Sequence, residues 1–374
     1  MNGTFRVGNL FGIPFNVHPS WFFILGMVTL TYGGQLAVKF PGLAGPLPWI
    51  LGLAAGLLLF SSVLAHELGH SLVAIKQGIE VKSINLFLFG GLAHLEKESK
   101  TPAEAFWVAI AGPLVSILLF GIFTAIGIGT NLSGPLAAIV GLLASINLAL
   151  ALFNLIPGLP LDGGNILKAA VWKITGNPYK GVFFASRVGQ IFGWIAIISG
   201  LIPVFLYNSY GSFWNILIGW FLLQNAGMSA QAAKVQDKLA GLTAEDAVVP
   251  NGPIVSADIS LRKFANDFVI GQDLWNKFLV TNEDGQLLGT ISVQDLKTVS
   301  LELWPQITVQ ELTKPIENGK TVKSNQSLLE VINLLEQEQI TQLPVVRENG
   351  VVVGMLEKTS IINLLQRQAS FKTA

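Results

Sequence analysis

His66-Glu67-Leu68-Gly69-His70 places three ionisable side chains inside a long apolar stretch. Residues four apart share a helix face, so the two imidazoles can grip one divalent ion while the intervening glutamate reaches a water beside it. The chemistry open to such a set is peptide hydrolysis, with zinc as the Lewis acid and Glu67 moving the proton. The five-residue pattern is loose by itself. Its setting gives it weight, because ionisable groups in hydrocarbon are costly and mark functional positions. A catalytic zinc takes three protein ligands, so one is still to be found. The chain has no cysteine, which excludes disulfides and thiolate ligands. Asp162 is the candidate: it is the only acid in Asn154-Leu155-Ile156-Pro157-Gly158-Leu159-Pro160-Leu161-Asp162-Gly163-Gly164, where two prolines interrupt an apolar span. Taken alone, the same segment also reads as a solvated turn with Asp162 capping a helix. His94 is the reserve ligand, and His18 reads as a polar interface residue.

The elements that must position these groups are membrane spans. Of 374 residues, 51% are hydrophobic and 12% charged, and the mean hydropathy is +0.57, values that exclude a purely water-soluble protein. The first ~230 residues are long apolar runs, whereas the remainder has the charge content of a soluble α/β sequence. Windows of about 20 residues, enough to cross the hydrocarbon core, lie near Trp49 to Gln77, Ala105 to Gly129, Gly134 to Ile156, Val188 to Tyr207 and Phe213 to Ala232. A shorter run from Trp21 to Gly33 makes a sixth. The opening segment lacks the features of a cleaved secretory signal and is expected to stay attached. Lys76, Lys82, Lys97 and Lys100 follow the second span, and Lys168, Lys173, Lys180 and Arg187 lie between the fourth and fifth, so both loops are expected on the cytoplasmic side. The opposite-side connections hold Lys39 and otherwise no basic residue near Gly129 to Gly134 or Tyr207 to Phe213. Both termini and the soluble half are then cytoplasmic, and the expected location is the cell's inner membrane. Trp21, Trp49, Trp107 and Trp214 near span ends fit an interfacial belt in the lipid bilayer. Net charge is zero, and nothing points to a nucleic-acid partner.

Asn147 and Asn154, seven residues apart, share a helix face, and either amide could hydrogen-bond a substrate backbone or a tetrahedral oxyanion; polar residues in membrane helices also serve simply to join helices. Val81 to Leu95 forms two short apolar runs around Gly90 and Gly91, a β-hairpin pattern. An apolar hairpin with a free edge is tolerated at membrane depth only against protein or a wet cavity, and such an edge could hold a substrate segment by strand addition. Glu96, Glu98 and Glu104 with Lys97 and Lys100 read as a solvated juxtamembrane face. Gly112-Pro113 reads as a packing or kink position.

Leu242 to Leu365 contains an approximate repeat of about 60 residues. Ile254 to Ser260, a helix from Leu261, Phe278 to Thr281, a turn at Asp284-Gly285 and Leu287 to Ile291 form one copy. Thr321 to Ser327, a helix from Leu328, Leu343 to Val346, a turn at Asn349-Gly350 and Val351 to Met355 form the other.

HELGH in one span and NLIPGLPLDGG after a later one together resemble the site-2 protease family of intramembrane zinc metalloproteases, over about residues 1 to 230. The strand-helix-hairpin repeat resembles paired CBS domains, as in the bacterial and archaeal branch of that family. The expected architecture is a polytopic α-helical membrane protein, about six spans with a membrane-associated β-hairpin, plus a soluble α/β tandem CBS pair. The expected divisions are residues 1–230 for the transmembrane metalloprotease domain, 231–241 for a linker, 242–303 for the first CBS domain and 304–374 for the second with the C-terminal tail. The resemblance implies that His66, His70 and Asp162 bind zinc and that Glu67 is the catalytic acid/base. It further implies single-span membrane protein substrates such as anti-sigma factors. CBS pairs of this kind bind adenosyl ligands such as ATP and can form homodimers, and the family pattern puts Ser292 and Asp295 on a ribose; the second copy departs from it with Glu357 and Ser360. A CBS-regulated ion channel or metal transporter is the alternative class, since it too combines spans, buried histidines and a cytosolic sensor. A non-catalytic membrane chaperone descended from a protease is a third.

Overall fold

The computed structural model describes residues 4–87, 90–207, 213–249, 252–270, 275–316 and 321–370. It divides into two compact units, Met1–Lys234 and Val235–Ala374.

The first unit begins with strands β1 (Phe5–Leu10) and β2 (Ile13–Val17), followed by helices α1 (Pro19–Lys39) and α2 (Leu47–Lys76). Strands β3 (Val81–Phe87) and β4 (Gly90–Leu95) come next, then α3 (Pro102–Gly129), α4 (Gly134–Asn154), α5 (Asp162–Thr175), α6 (Pro178–Tyr207) and α7 (Phe213–Leu239). The strands form one sheet in the order β1-β2-β3-β4, with β2 and β3 parallel and the outer pairs antiparallel. The Val81 to Leu95 hairpin is therefore the far half of a larger sheet, and its tip at residues 88 and 89 lies outside the described residues. Ile13, Val17, Val81, Ile84 and Leu86 bury one face of the sheet against Ala74 of α2. Among the described residues, β4 pairs with β3 alone and leaves its other edge open.

Five helices among the described residues are long and apolar enough to cross a membrane: α1, α2, α3, α4 and α6. The span expected at Phe213 to Ala232, in α7, does not join them, because Asn215, Gln224 and Asn225 dilute its apolar run. Its packing nevertheless follows α6 in reverse. Asn215 Nδ2 donates to Ser199 Oγ at 3.3 Å. Further along, Gly219 lies against Gly193 and Ile197, and Gly227 lies beside Gln190. The connection between α6 and α7, expected to lack basic residues, falls at residues 208–212 and lies outside the described residues. The stretch read as a basic loop between the fourth and fifth spans is instead α5 and the first turns of α6. Helix α5 is amphipathic, and its charged residues obscured the helical period in a search for apolar windows.

The second unit repeats one small motif. Strand β5 (Ile254–Ser256), helix α8 (Leu261–Phe264), β6 (Lys277–Thr281) and β7 (Leu287–Ser292) form the first copy. After the short helix α9 (Val309–Leu312), the second follows as β8 (Val322–Lys323), α10 (Leu328–Gln337), β9 (Gln342–Val346), β10 (Val352–Glu357) and α11 (Lys358–Ser370). In each copy the first strand pairs in parallel with the second, and the second and third form an antiparallel hairpin. Gly285 and Gly350 turn those hairpins at φ 74° and 82°, where a side chain would be strained. Leu261, Phe264, Phe278 and Ile291 bury the first core, and Leu328, Val331, Leu335 and Leu356 the second.

Candidate active site

Helix α2 delivers His66, Glu67 and His70, and the start of α5 delivers Asp162. His66 Nε2 lies 3.1 Å from Asp162 Oδ2, His70 Nε2 lies 3.3 Å from Asp162 Oδ1, and the two Nε2 atoms are 3.2 Å apart. Ninety-six residues of chain separate His66 from Asp162, and the interrupted segment after α4 closes that gap. Leu159 N donates to the Ala185 carbonyl of α6 at 3.1 Å and Leu161 N to Gly158 O at 3.0 Å, so the segment is braced where it turns back. Gly163 and Gly164 press against the backbone of residues 155–159 too closely for a side chain. Asp162 thus sits in the first turn of α5 with its carboxylate directed at the imidazoles.

Hydrogen bonding tests whether these groups suit a cation. His70 Nδ1 is 2.6 Å from the Val108 carbonyl, which can only accept, so Nδ1 carries the proton and Nε2 presents a lone pair. His66 Nδ1 lies 2.9 Å from Ser116 Oγ inside α3, and Ser116 is fully buried; the hydroxyl is able to accept the imidazole proton, and in that tautomer Nε2 is equally free. Two nitrogen lone pairs and a carboxylate then converge, an arrangement of acceptors suited to a bound cation. One donor atom from each of the three residues lies within 4.8 Å of the others, and the two imidazole nitrogens are 3.2 Å apart, close to the roughly 3.3 Å that tetrahedral zinc with bonds of about 2.0–2.1 Å to nitrogen sets between neighbouring ligands. The donor set fits zinc.

The metal-facing wall is Gly112 of α3. A Cβ there would collide with His70 Nε2 and stand 2.6 Å from His66 Nε2. Gly69, between the motif histidines, lets α3 approach from the other side: its Cβ would meet the Ala111 carbonyl at 3.0 Å. The expectation of a packing or kink position at Gly112-Pro113 captured the close approach and missed what it serves. Ser116 and the Val108 carbonyl were missed too; a lone hydroxyl in the apolar run after Pro113 was the available signal.

A cavity of about 460 Å³ has Glu67 and the His66, His70 and Asp162 set at one end and Glu98 and Lys168 at the other. Gly90 and Gly91 of β4 line it, and Gly91 is packed on the Glu67 side chain, its Cβ position 2.8 Å from Glu67 Cδ. The Ala93 backbone also hydrogen-bonds the Glu67 carboxylate. Asn154 lines the same cavity with Nδ2 3.5 Å from His66 Nε2. Asn147 does not reach it: fully buried, it donates to Ser62 Oγ at 3.0 Å and to the Leu143 carbonyl at 2.8 Å, tying α4 to α2 one turn before His66. His18 caps α1, accepting from Ser20 N, and His94 pairs with Asn85 across the sheet; neither belongs to the His66, His70 and Asp162 group.

In the second unit, Ser292 N donates to Asp295 Oδ2 at 2.9 Å while Lys314 Nζ pairs with Oδ1. Burial opposes ionisation of Asp295, yet Lys314 and Ser292 overcome it and hold the carboxyl below its ordinary range.

Fold and site together define a polytopic membrane protein built around a metal-dependent hydrolytic centre. The description "Peptidase family M50" matches residues 54–140 and 129–196, and "CBS domain" matches residues 309–367, within the expected second copy. "Putative zinc metalloprotease sll0528" of Synechocystis sp. is 60% identical over 99% of this chain and 97% of its own length. "Zinc metalloprotease MJ0392" of Methanocaldococcus jannaschii is 29% identical over 98% and 97%. Among solved structures, the site-2 protease from M. jannaschii covers 61% of this chain and 95% of its own at 28% identity and a TM-score of 0.43. The chain belongs to peptidase family M50: it is an integral membrane zinc metalloprotease with an appended CBS domain.

Proposed function

We propose that His66, His70 and Asp162 hold one zinc ion and that Glu67 is the catalytic acid/base for cleaving peptide bonds within or beside transmembrane segments. The observation that carries this reading is the convergence of one lone-pair donor from each of His66, His70 and Asp162 within 4.8 Å of one another, with the Glu67 carboxylate lining the same cavity. Zinc bound there supplies Lewis acidity toward the scissile carbonyl and lowers the pKa of a nearby water. Glu67 takes the proton of the attacking water and returns it to the leaving nitrogen. Ser116 and the Val108 carbonyl hold both imidazoles in the ligating tautomer. Asn154 directs an amide donor toward the substrate carbonyl, and the open edge of β4 at Gly90 and Gly91 receives the unwound chain by strand addition. Asn147 acts as a strut.

Substrates on this reading are single-span membrane proteins of the anti-sigma-factor kind. The protein lies in the cell membrane with the CBS pair cytoplasmic: the basic residues of α5 and the start of α6 favour that side, and the return of α7 along α6 brings the chain back to it. The CBS pair modulates the peptidase and pairs in a homodimer, with an adenosine nucleotide binding at Ser292 and Asp295. The ribose must displace Lys314 to do so.

The test is Glu67→Gln beside Asp162→Ala. With the first, metal analysis should find wild-type zinc while cleavage of a model membrane substrate stops; the second should lose both. Unchanged cleavage by Glu67→Gln would remove the proposed base. Metal transport into liposomes without any cut polypeptide would favour a transporter.

A further inference from the structure

The far end of the cavity carries a charge pair that the hydrolytic reading does not use. Lys168 Nζ lies 3.0 Å from Glu98 Oε2, and the two partners differ sharply in exposure, 17% for the lysine side chain and 80% for the glutamate. Lys168 is the only lysine or arginine lining the cavity among the described residues. Asp162, Asn165, Lys168 and Trp172 all face the cavity from α5, at the three- and four-residue spacing of one helix stripe. That stripe runs outward from the metal ligands. The opposite wall runs the same way, from Gly91 against Glu67 to Glu98 beyond the end of β4. The cavity is therefore a slot, with the hydrolytic set at one end and the partly buried Lys168 side chain at the other.

We propose that Lys168 is a specificity-determining residue that receives an acidic side chain of the substrate; the inference rests on the peptidase reading of the site. A half-enclosed ammonium requires a counter-charge. Glu98 supplies it from a solvent-facing loop and regains its own hydration on leaving, so exchanging it for a substrate carboxylate leaves no charge unpaired. A substrate lysine at the same place meets repulsion. Six residues of helix separate Asp162 from Lys168, about 9 Å along the axis at 1.5 Å per residue. An extended chain advances about 3.3 Å per residue, so the favoured carboxylate stands about three residues from the scissile bond.

The test uses full-length protein and a model transmembrane substrate carrying a single Asp, Asn or Lys at each position from one to six on either side of the cut, the cut being located by mass spectrometry. The readout is the ratio of kcat/KM for Asp over Asn at each position. Wild type should show a ratio of about 10 at one position near the third and about 1 elsewhere. Lys168→Arg should keep that peak, Lys168→Gln should flatten it, and Lys168→Glu should invert it so that the Lys substrate is preferred. Glu98→Gln should raise it, because the competitor is gone. Zinc content measured in every variant reports folding. The same position profile in wild type and Lys168→Glu, both zinc-loaded, would overturn the assignment and leave Lys168 as a structural tie between α5 and the loop. No cleavage of any substrate by zinc-loaded wild type would instead overturn the peptidase reading, and this inference with it.

Discussion

Gly112→Ala is the sharpest perturbation available, because one methyl group enters the space where a metal would meet both imidazoles. The new Cβ collides with His70 Nε2 and stands 2.6 Å from His66 Nε2 and 2.7 Å from His70 Cε1. Ordinary carbon-to-nitrogen contact is about 3.5 Å or more, so each ring must retreat by roughly 0.9 Å or further. Metal-ligand distances tolerate only about ±0.2 Å. The two rings cannot retreat and still close a set whose members now lie 3.1 to 3.3 Å apart. Loss of a partner behind a ligand weakens metal binding about 10- to 100-fold, and displacing two ligands should exceed that, a loss of at least about 2.7 kcal/mol at 1.36 kcal/mol per tenfold. Helix α3 itself gains, since alanine is the better helix former, so the defect is confined to the site. The control is Gly121→Ala in the same helix, where a Cβ meets nothing within 4 Å. The assay is zinc stoichiometry by metal analysis, with competition against a chelator of known affinity. Gly121→Ala should match wild type. Gly112→Ala binding one zinc at wild-type affinity would refute the packing argument and the ligand set together.

Ser116→Ala removes the acceptor behind His66 Nδ1 and should weaken zinc about 10- to 100-fold, with Ser116→Thr recovering most of it in the same competition assay. Asn154→Ala should lower kcat with zinc retained, whereas Asn147→Ala, which strips the Ser62 contact and the Leu143 bond, should lower thermal stability and leave the kcat of the folded fraction near wild type; identical kinetic losses in both would count against the division of roles. For Asp295 the folded pKa lies below the unfolded one. Its ion pair with Lys314 therefore contributes stability that is fully present above about pH 4, the ordinary carboxylate value, and is lost as pH falls through the depressed folded pKa. Asp295→Asn should show a smaller drop in unfolding midpoint between pH 5 and 3 than wild type, and parallel pH curves would contradict that sign.

What was legible in the sequence follows the strength of each local signal. The spans of α2, α3, α4 and α6 are long apolar runs, and their ends fall where glycine, proline and charge interrupt the pattern. The two motifs are legible because ionisable groups are so costly among apolar neighbours that each must be explained. Helix α5 was not legible: in a search for apolar windows its Lys168 and Lys173 look like a loop, although 14 residues without proline suffice for an amphipathic helix. Residues whose role depends on position rather than type stayed hidden. Gly112 matters for a Cβ it lacks, Ser116 for one oxygen behind a ring, and Val108 for a carbonyl that any residue would offer. Glu98 looked like any charge in a solvated stretch because its partner Lys168 is 70 residues away. Asn147 and Asn154 show the same limit: the helical period puts them on one face, but only the approach of α2 decides which one meets a histidine and which one meets Ser62.

The dimensions of the slot constrain how a membrane-spanning substrate can be cut. A substrate segment that stayed helical beside Glu67 would keep its carbonyls bonded within its own backbone. Three or four residues drawn out at about 3.3 Å each instead cover 10 to 13 Å, the length of β4 from Gly91 to Leu95. On the strand addition proposed above, the edge of β4 that β3 leaves open would offer backbone partners to replace those the substrate gives up, lowering the cost of unwinding where the bond must be presented. That cost still favours substrates whose helices are weak near the cut, and glycine is about 1 kcal/mol less favourable than alanine in a helix interior. Glycine beside the scissile bond therefore acts before chemistry begins, on how often the bond reaches Glu67, whereas a carboxylate three residues away acts through Lys168 on where the unwound segment comes to rest.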